Sequence, residues 1–451
     1  LPICFPNGMK PIADYVHGLR MKAGLYTDAG NSTCGSMWDN DAAGVGAGIY
    51  GHEPQDAQLY FGDWGFDFIK IDYCGGDALG LNEKERYTSI RNSIDKVNKD
   101  VSINICRWAF PGTWAKDAAT SWRISGDINA HWGSLRYVVG KNLYLSAYAG
   151  NGHYNDMDMM VIGFRNDSKV GGQGLTPTEE EAHFGLWCIM SSPLLIGCNL
   201  ENMPDSSLEL LTNKELISLN QDPLGLQAYV AQHENEGYVL VKDIEQKRGN
   251  VRAVALYNPS DTICSFSVPF SSLEFGGNVK VRDLVKHSDL GNFSGTFEQT
   301  LPAHSAMFLR IEGETRLEPT LYEAEWAYLP LFNDLGKNPK GIIYAHDKEA
   351  SGKMKVGFLG GQPENYAEWR EVYSENGGRY DMTIHYLYGK GRQIELDVNG
   401  IITKIDSLGK DNGHNQITVP VELKAGYNTI RMGNSYNWAP DIDCFTLTKA
   451  L

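Results

Sequence analysis

Seven ionisable side chains close short apolar runs in the first half of the chain: Asp28, Lys70, Asp72, Arg123, Asp127, Asp156 and Asp158. Five of them are carboxylates. In a β/α barrel, polar residues at the carboxyl ends of strands converge on one face, whereas mid-strand they would be buried. Any single Asp there also serves as a cap or turn former, but five in series point to acid–base chemistry. Lys70 and Asp72 are two apart, so on a strand they share a face, and the ammonium favours the ionised carboxylate that a nucleophile must be. Asp127 follows Arg123, and Gly126 between them allows close backbone approach to a ligand. A second carboxylate across a small cavity would keep Asp127 protonated by like-charge repulsion. Such a pair hydrolyses glycosides, with retention at about 5–5.5 Å separation and inversion at about 6.5–9.5 Å.

These residues need elements to hold them. Apolar runs at 22–26, 66–72, 101–107, 121–127, 154–161 and 192–198 recur on the order of 30 residues apart, near the repeat of an eight-unit barrel. Helical patterns lie between them, which implies a parallel sheet. Six runs are two short of a closed barrel, and an open doubly wound sheet is the alternative. The catalytic pattern favours a (β/α)8 TIM barrel whose first two units are expected upstream of Leu1. After Asn220–Gly225 the pattern becomes strand-sized alternation. A hairpin is predicted from 238–241 and 253–257 around the turn 247–250. Three regions follow: a barrel over 1–225, an antiparallel β-sandwich over 226–318 that ends near 312 in a polar linker, and a second β-sandwich over 319–451.

The 451 residues carry 40 Lys and Arg against 56 Asp and Glu, a net charge of −16 that repels polyphosphate and argues against nucleic-acid partners. No apolar window is long enough to span a membrane. The eight Cys have no paired CxxC spacing, so zinc is not suggested.

The segments Lys22–Gly30, Phe68–Cys74, Trp122–Trp132, Tyr154–Gly163 and Leu219–Gly225 resemble glycoside hydrolase family 27, the α-galactosidase or melibiase family, in order and approximate spacing. The resemblance covers residues 5 to 225 and extends through the first sandwich. It implies a barrel followed by an antiparallel β domain, and retaining exo-hydrolysis of terminal α-linked galactose without a metal or cofactor. It makes Asp72 the nucleophile and Asp127 the acid/base, and it places Lys70, Arg123, Asp158 and Asp28 in the sugar pocket. It also implies a Cys34–Cys74 disulfide. In the family a Glu commonly follows the Cys of the motif Cys106-Arg107-Trp108-Ala109, which contacts the sugar's C2 substituent. Arg107 in that place leaves N-acetylgalactosaminidase and β-L-arabinopyranosidase activity as alternatives to galactosidase. The family's partner for Cys106 is missing, so Cys106 reads as a buried thiol, like Cys188 and Cys198. A carbohydrate substrate and the disulfide imply a periplasmic or extracellular location.

Trp38, Trp108 and Trp132 are candidates for stacking on a sugar face or for the core, and His153 reads as structural. Residues 321–451 resemble a carbohydrate-binding module, with Trp369, Tyr436 and Trp438 read as an aromatic platform or, for one or more of them, as core. Glu323 and Glu325 share a strand face and Asp443 can join them. Two readings stay open for these acids: an all-oxygen Ca²⁺ site, or an acidic edge that discourages aggregation. Of a different class is a non-catalytic carbohydrate-recognition protein built on the same scaffold. A metal-assisted hydrolase using Asp156 and Asp158 lacks the expected His ligands.

Overall fold

The computed structural model describes residues 5–164, 174–335, 341–406, 408–409 and 413–450, so Cys4 lies outside the described residues. The chain forms two compact units. The first comprises residues 1–126, 152–156 and 333–335, and the second the remainder.

The first unit is built on five parallel strands, β1 (Gly24–Asp28), β2 (Phe68–Asp72), β3 (Ser102–Ile105), β4 (Ser121–Arg123) and β5 (Tyr154–Asp156). They pair in sequence order. This consecutive order is that of a β/α barrel wall; a doubly wound sheet would reverse direction at a switch point. Ile69, Ile71, Ile103 and Ile105 are fully buried, because β-branched side chains fit the two-sided packing of a parallel sheet. Helix Glu83–Asp95 begins where the Asn82 side chain accepts the Glu85 amide at 3.0 Å, satisfying one of the donors that a helix start leaves open.

In the second unit the sixth apolar run forms only a parallel bridge between Met160 and Ile196. Helix Pro177–Ile189 starts with a capping box between Thr176 and Glu179 and is buried along most of its length. It lies against strand Ser305–Arg316 so closely that a Cβ on Gly185 would sit 2.1 Å from the Phe308 ring.

The predicted hairpin forms, with Gly237–Asp243 pairing Val251–Asn258 in a six-stranded antiparallel sheet. A second sheet of two strands, Cys264–Pro269 and Thr296–Leu301, closes the sandwich over a core that includes Val254, Leu256, Phe266 and Phe297. The expected linker from 312 is instead strand as far as Arg316, in register with Phe275. Alternation misled because Gly313, with no side chain, lies on the buried face. Residues 321–449 form a further two-sheet sandwich. Trp369 is in its core and donates Nε1–H to the Glu323 carbonyl, so it belongs to no surface platform.

Candidate active site

Register decides what shares the mouth of the first unit. Asp28 pairs with Asp72, and Tyr26 with Lys70, which in turn pairs with Asn104. Lys70 and Asp72 therefore share a face as their spacing predicted, and so do Tyr26 and Asp28. Asp72, 7% exposed, accepts the Tyr26 hydroxyl on Oδ2 at 2.6 Å, while its Oδ1 is buried with no hydrogen-bond partner among the described residues. Burial and the bond to Asp72 push the Tyr26 phenol well up, so it stays a donor.

Tyr26 and Asn104 were missed in the sequence. The signal was available for Tyr26, which precedes Asp28 by two just as Lys70 precedes Asp72. Asn104 donates to Ser121 Oγ and Asp156 Oδ2, both at 2.8 Å, a link across three strands that no local pattern announces.

Asp28 is fully buried. Its Oδ1 accepts the amides of Gly30 at 2.6 Å and Gly75 at 3.1 Å, and burial raises its pKa despite those bonds. Gly30 is required there, since a Cβ would meet the Gly75 carbonyl carbon at 2.0 Å. Cys34 and Cys74 form the disulfide that the resemblance implied, with Cα atoms 5.1 Å apart. Their sulfurs are thereby spent and offer no metal site beside Asp28.

Arg123 is 1% exposed and donates to the Ser125 carbonyl at 3.3 Å, with Nη1 3.8 Å from Cys106 Sγ. Cys106 is a buried free thiol, as expected, and burial pushes its pKa far up. Cys188 is buried as well, whereas Cys198 is only half-buried.

Arg107 is committed elsewhere than the sequence suggested. Its guanidinium reaches Glu83 at 3.0 Å and Asp77 at 3.4 Å and lies over the Tyr73 ring at 4.9 Å. Trp108 is half-buried and takes a left-handed backbone at φ 56°, an uncommon choice for a bulky residue. Trp132 is core, with Nε1–H on the Pro259 carbonyl and its ring stacked on His304. His153 bonds the Lys116 carbonyl, a structural role. Trp38 is 75% exposed.

In the second unit, Asp127 is exposed on the loop after β4. Asp158, at φ 78°, accepts the Ile128 amide on Oδ2 at 3.0 Å and the Met159 amide on Oδ1 at 2.8 Å. Trp187 donates to its carbonyl at 2.8 Å. Asp158 therefore fixes the residue next to Asp127.

The acids of the C-terminal sandwich are not an exposed edge. Glu323, Glu325 and Asp443 are 4%, 1% and 6% exposed. Glu323 Oε2 and both oxygens of Glu325 have no hydrogen-bond partner among the described residues. Ligand atoms of Glu323, Asp443 and Cys444 lie within 4.8 Å of one another. A Cβ on Gly352, at φ 57°, would sit 2.3 Å from Glu325 Oε1. Burial raises all three carboxyls, Glu323 to about 7 and Asp443 to about 6. Unpartnered buried oxygens around a glycine cradle fit a hard cation.

Residues 2–222 match the family described as "Alpha galactosidase A", and residues 236–311 the "Alpha galactosidase C-terminal beta sandwich domain". Alpha-galactosidase 3 of Arabidopsis thaliana is 37% identical over 308 residues, covering 67% of this chain and 66% of that protein. Alpha-galactosidase A of Cellvibrio japonicus is 34% identical, covering 68% and 76%. The solved alpha-galactosidase I from Mortierella vinacea superposes with a TM-score of 0.60 at 26% identity, covering 70% of this chain and 83% of that one. The chain spans about two thirds of the length of the Arabidopsis relative. With its parallel strands and the sandwich that follows, this chain belongs to the α-galactosidase family, glycoside hydrolase family 27.

Proposed function

We propose that the protein is a retaining exo-α-galactosidase that removes terminal α-linked galactose by double displacement, with Asp72 as nucleophile and Asp127 as acid/base. The observation that carries this reading is the state of Asp72. Tyr26 ties down one carboxylate oxygen at the end of β2 and the other is left without a partner. A hydrogen bond to Oδ2 holds the carboxylate's orientation, which is what a carboxylate nucleophile needs. Oδ1 then attacks the anomeric carbon as the bond to the leaving oxygen breaks, and Asp127 gives that oxygen its proton. In the second half, Asp127 takes a proton from water, the water oxygen bonds the anomeric carbon, and the ester to Asp72 is released. Two inversions give net retention. Exposure of Asp127 suits a group that must meet both leaving group and water.

Lys70 and Arg123 belong in the sugar pocket on this reading. Asp28 and Asp158 act as positioning residues, because their oxygens hold backbone amides. Galactose is preferred over N-acetylgalactosamine or an arabinopyranose, since Arg107 is held by Glu83 and Asp77 and does not itself redefine the C2 site. The disulfide supports an extracellular or periplasmic location.

The test is hydrolysis of p-nitrophenyl α-galactoside by the full-length protein beside Asp72→Asn and Asp127→Asn. Loss in both variants supports the assignment. Equal activity in all three removes Asp72 and Asp127 as the catalytic pair, and no activity in any removes the enzyme in favour of carbohydrate recognition alone.

We further infer that Glu323, Glu325 and Asp443 hold a structural Ca²⁺, whose charge would offset three buried carboxylates. Tyr436 and Trp438, both exposed, support glycan contact by this module.

A further inference from the structure

A cavity of about 270 Å³ opens within the second unit, walled by residues of the middle sandwich and of the C-terminal sandwich together with Ser146, Ala147 and Ala149. No residue of the parallel strands lines it. Two ion clusters build its walls, and the first has more cations than anions.

In the first, Arg248, Arg252 and Arg316 converge on Asp243 and Glu274. Arg248 Nη1 is 2.7 Å from Glu274, Arg252 Nε is 2.9 Å from Asp243, and Arg316 Nη2 reaches Asp243 at 2.9 Å and Glu274 at 3.0 Å. Burial opposes ionisation of both acids, but the guanidinium groups overcome it and hold both carboxyls below the usual range. Three positive charges thus face two negative ones. In the second cluster the lining residue Arg370 pairs with the buried Glu368, whose carboxylate also takes Arg431, a residue outside the lining that faces Asp397 on the neighbouring strand. At the mouth Lys247 and Glu371 pair and cancel.

The first cluster thus carries one more cation than anion, in a chain whose overall charge is −16. Charge held in a partly desolvated wall is costly without a counter-ion. Arg248 lies over the Tyr373 ring at 4.0 Å and Arg370 over Tyr328 at 3.5 Å, so both guanidinium planes are fixed in orientation. A fixed guanidinium plane offers the paired donors that recognise carboxylate and sulfate. The volume far exceeds that of a bare ion, and Trp326 and Tyr427 add apolar ring surface of the kind that receives a sugar.

We propose that this cavity is an accessory site for an anionic saccharide, a sugar ring bearing a carboxylate or sulfate. The site is independent of the catalytic reading, since it uses neither Asp72 nor Asp127.

Calorimetric titration of the full-length protein at low ionic strength, with glucuronate, glucose 6-sulfate, inorganic sulfate and glucose as probes, tests it. The expected result is that at least one anionic sugar binds more than tenfold tighter than either glucose or inorganic sulfate. Arg248→Gln and Arg370→Gln should each weaken that binding at least tenfold. Arg370 is half-exposed, so its variant keeps the test intact if Arg248→Gln fails to fold. The two sugars distinguish a carboxylate from a sulfate ligand. No binding of either, equal binding of glucose, sulfate alone as tight as the sugar, or an Arg370→Gln protein that binds like the parent would each overturn the proposal.

Discussion

Tyr26 donates its phenolic proton to Asp72 Oδ2 at 2.6 Å across the β1–β2 pairing, and Asp72 Oδ1 is left buried and unpartnered. One oxygen is anchored and one is available, an asymmetry suited to in-line attack. Removing the anchor should therefore damage chemistry more than folding. Tyr26→Phe is expected to lower kcat/KM on p-nitrophenyl α-galactoside about 10- to 100-fold, the range for one hydrogen bond to a charged group. Steady-state kinetics beside a thermal melt checks this, and an unchanged kcat/KM would remove Tyr26 from the site.

Asp158 carries two backbone amides from a left-handed position. Asp158→Asn tolerates that conformation and keeps one acceptor, so it should cost about tenfold in kcat with little change in KM. Asp158→Val loses both bonds and strains the backbone, and it should be worse in kcat and in melting temperature. Similar losses in the two variants would point away from a positioning role.

The buried acids of the C-terminal sandwich give a pH signature. With folded pKa values raised by burial to about 7 for Glu323 and about 6 for Asp443, the metal-free fold binds protons more tightly than the unfolded chain. Stability is then fully present below the unfolded pKa and declines as pH rises, levelling off above the folded values. In EDTA, the melting temperature of the C-terminal transition should fall between about pH 4.5 and 7.5. Added Ca²⁺ should abolish the fall, and Glu325→Gln should blunt both effects. A flat profile in EDTA would exclude the site.

The Cys34–Cys74 bond closes a separation of 40 residues. Replacing both by Ser should destabilise the first unit by about 3–4 kcal/mol on the chain-entropy estimate. Denaturant unfolding of oxidised protein against the double variant measures it.

Tyr148 ties the middle of the chain to the start of the C-terminal sandwich. Its hydroxyl accepts the Leu329 amide at 3.1 Å and lies 2.9 Å from the Tyr344 hydroxyl, in a buried setting. Tyr148→Phe leaves that amide unpaired and should cost about 1–3 kcal/mol. A loss below 0.5 kcal/mol, on the order of a neutral surface change, would mean that the joint is held by other contacts.

What could be read without coordinates was whatever repeats or lies close along the chain. Strand ends at Asp28 and Asp72, the shared face of Lys70 and Asp72, and the hairpin around 247–250 all follow from local alternation and turn chemistry, whereas the run 121–127 is strand only as far as Arg123. The Cys34–Cys74 bridge was reached through the family motif rather than through spacing. The tertiary structure decided how partners were allotted, because hydrogen bonds and ion pairs form between groups far apart in sequence. It gave Tyr26 to Asp72, Arg107 to Glu83 and Asp77, both oxygens of Asp158 to backbone amides, and Trp369 to the core. It also extended the strand past Glu312, since ladder bonds to 275–283 outweigh a polar composition. Residue type sets what a side chain can do, and only packing sets which neighbour claims it first.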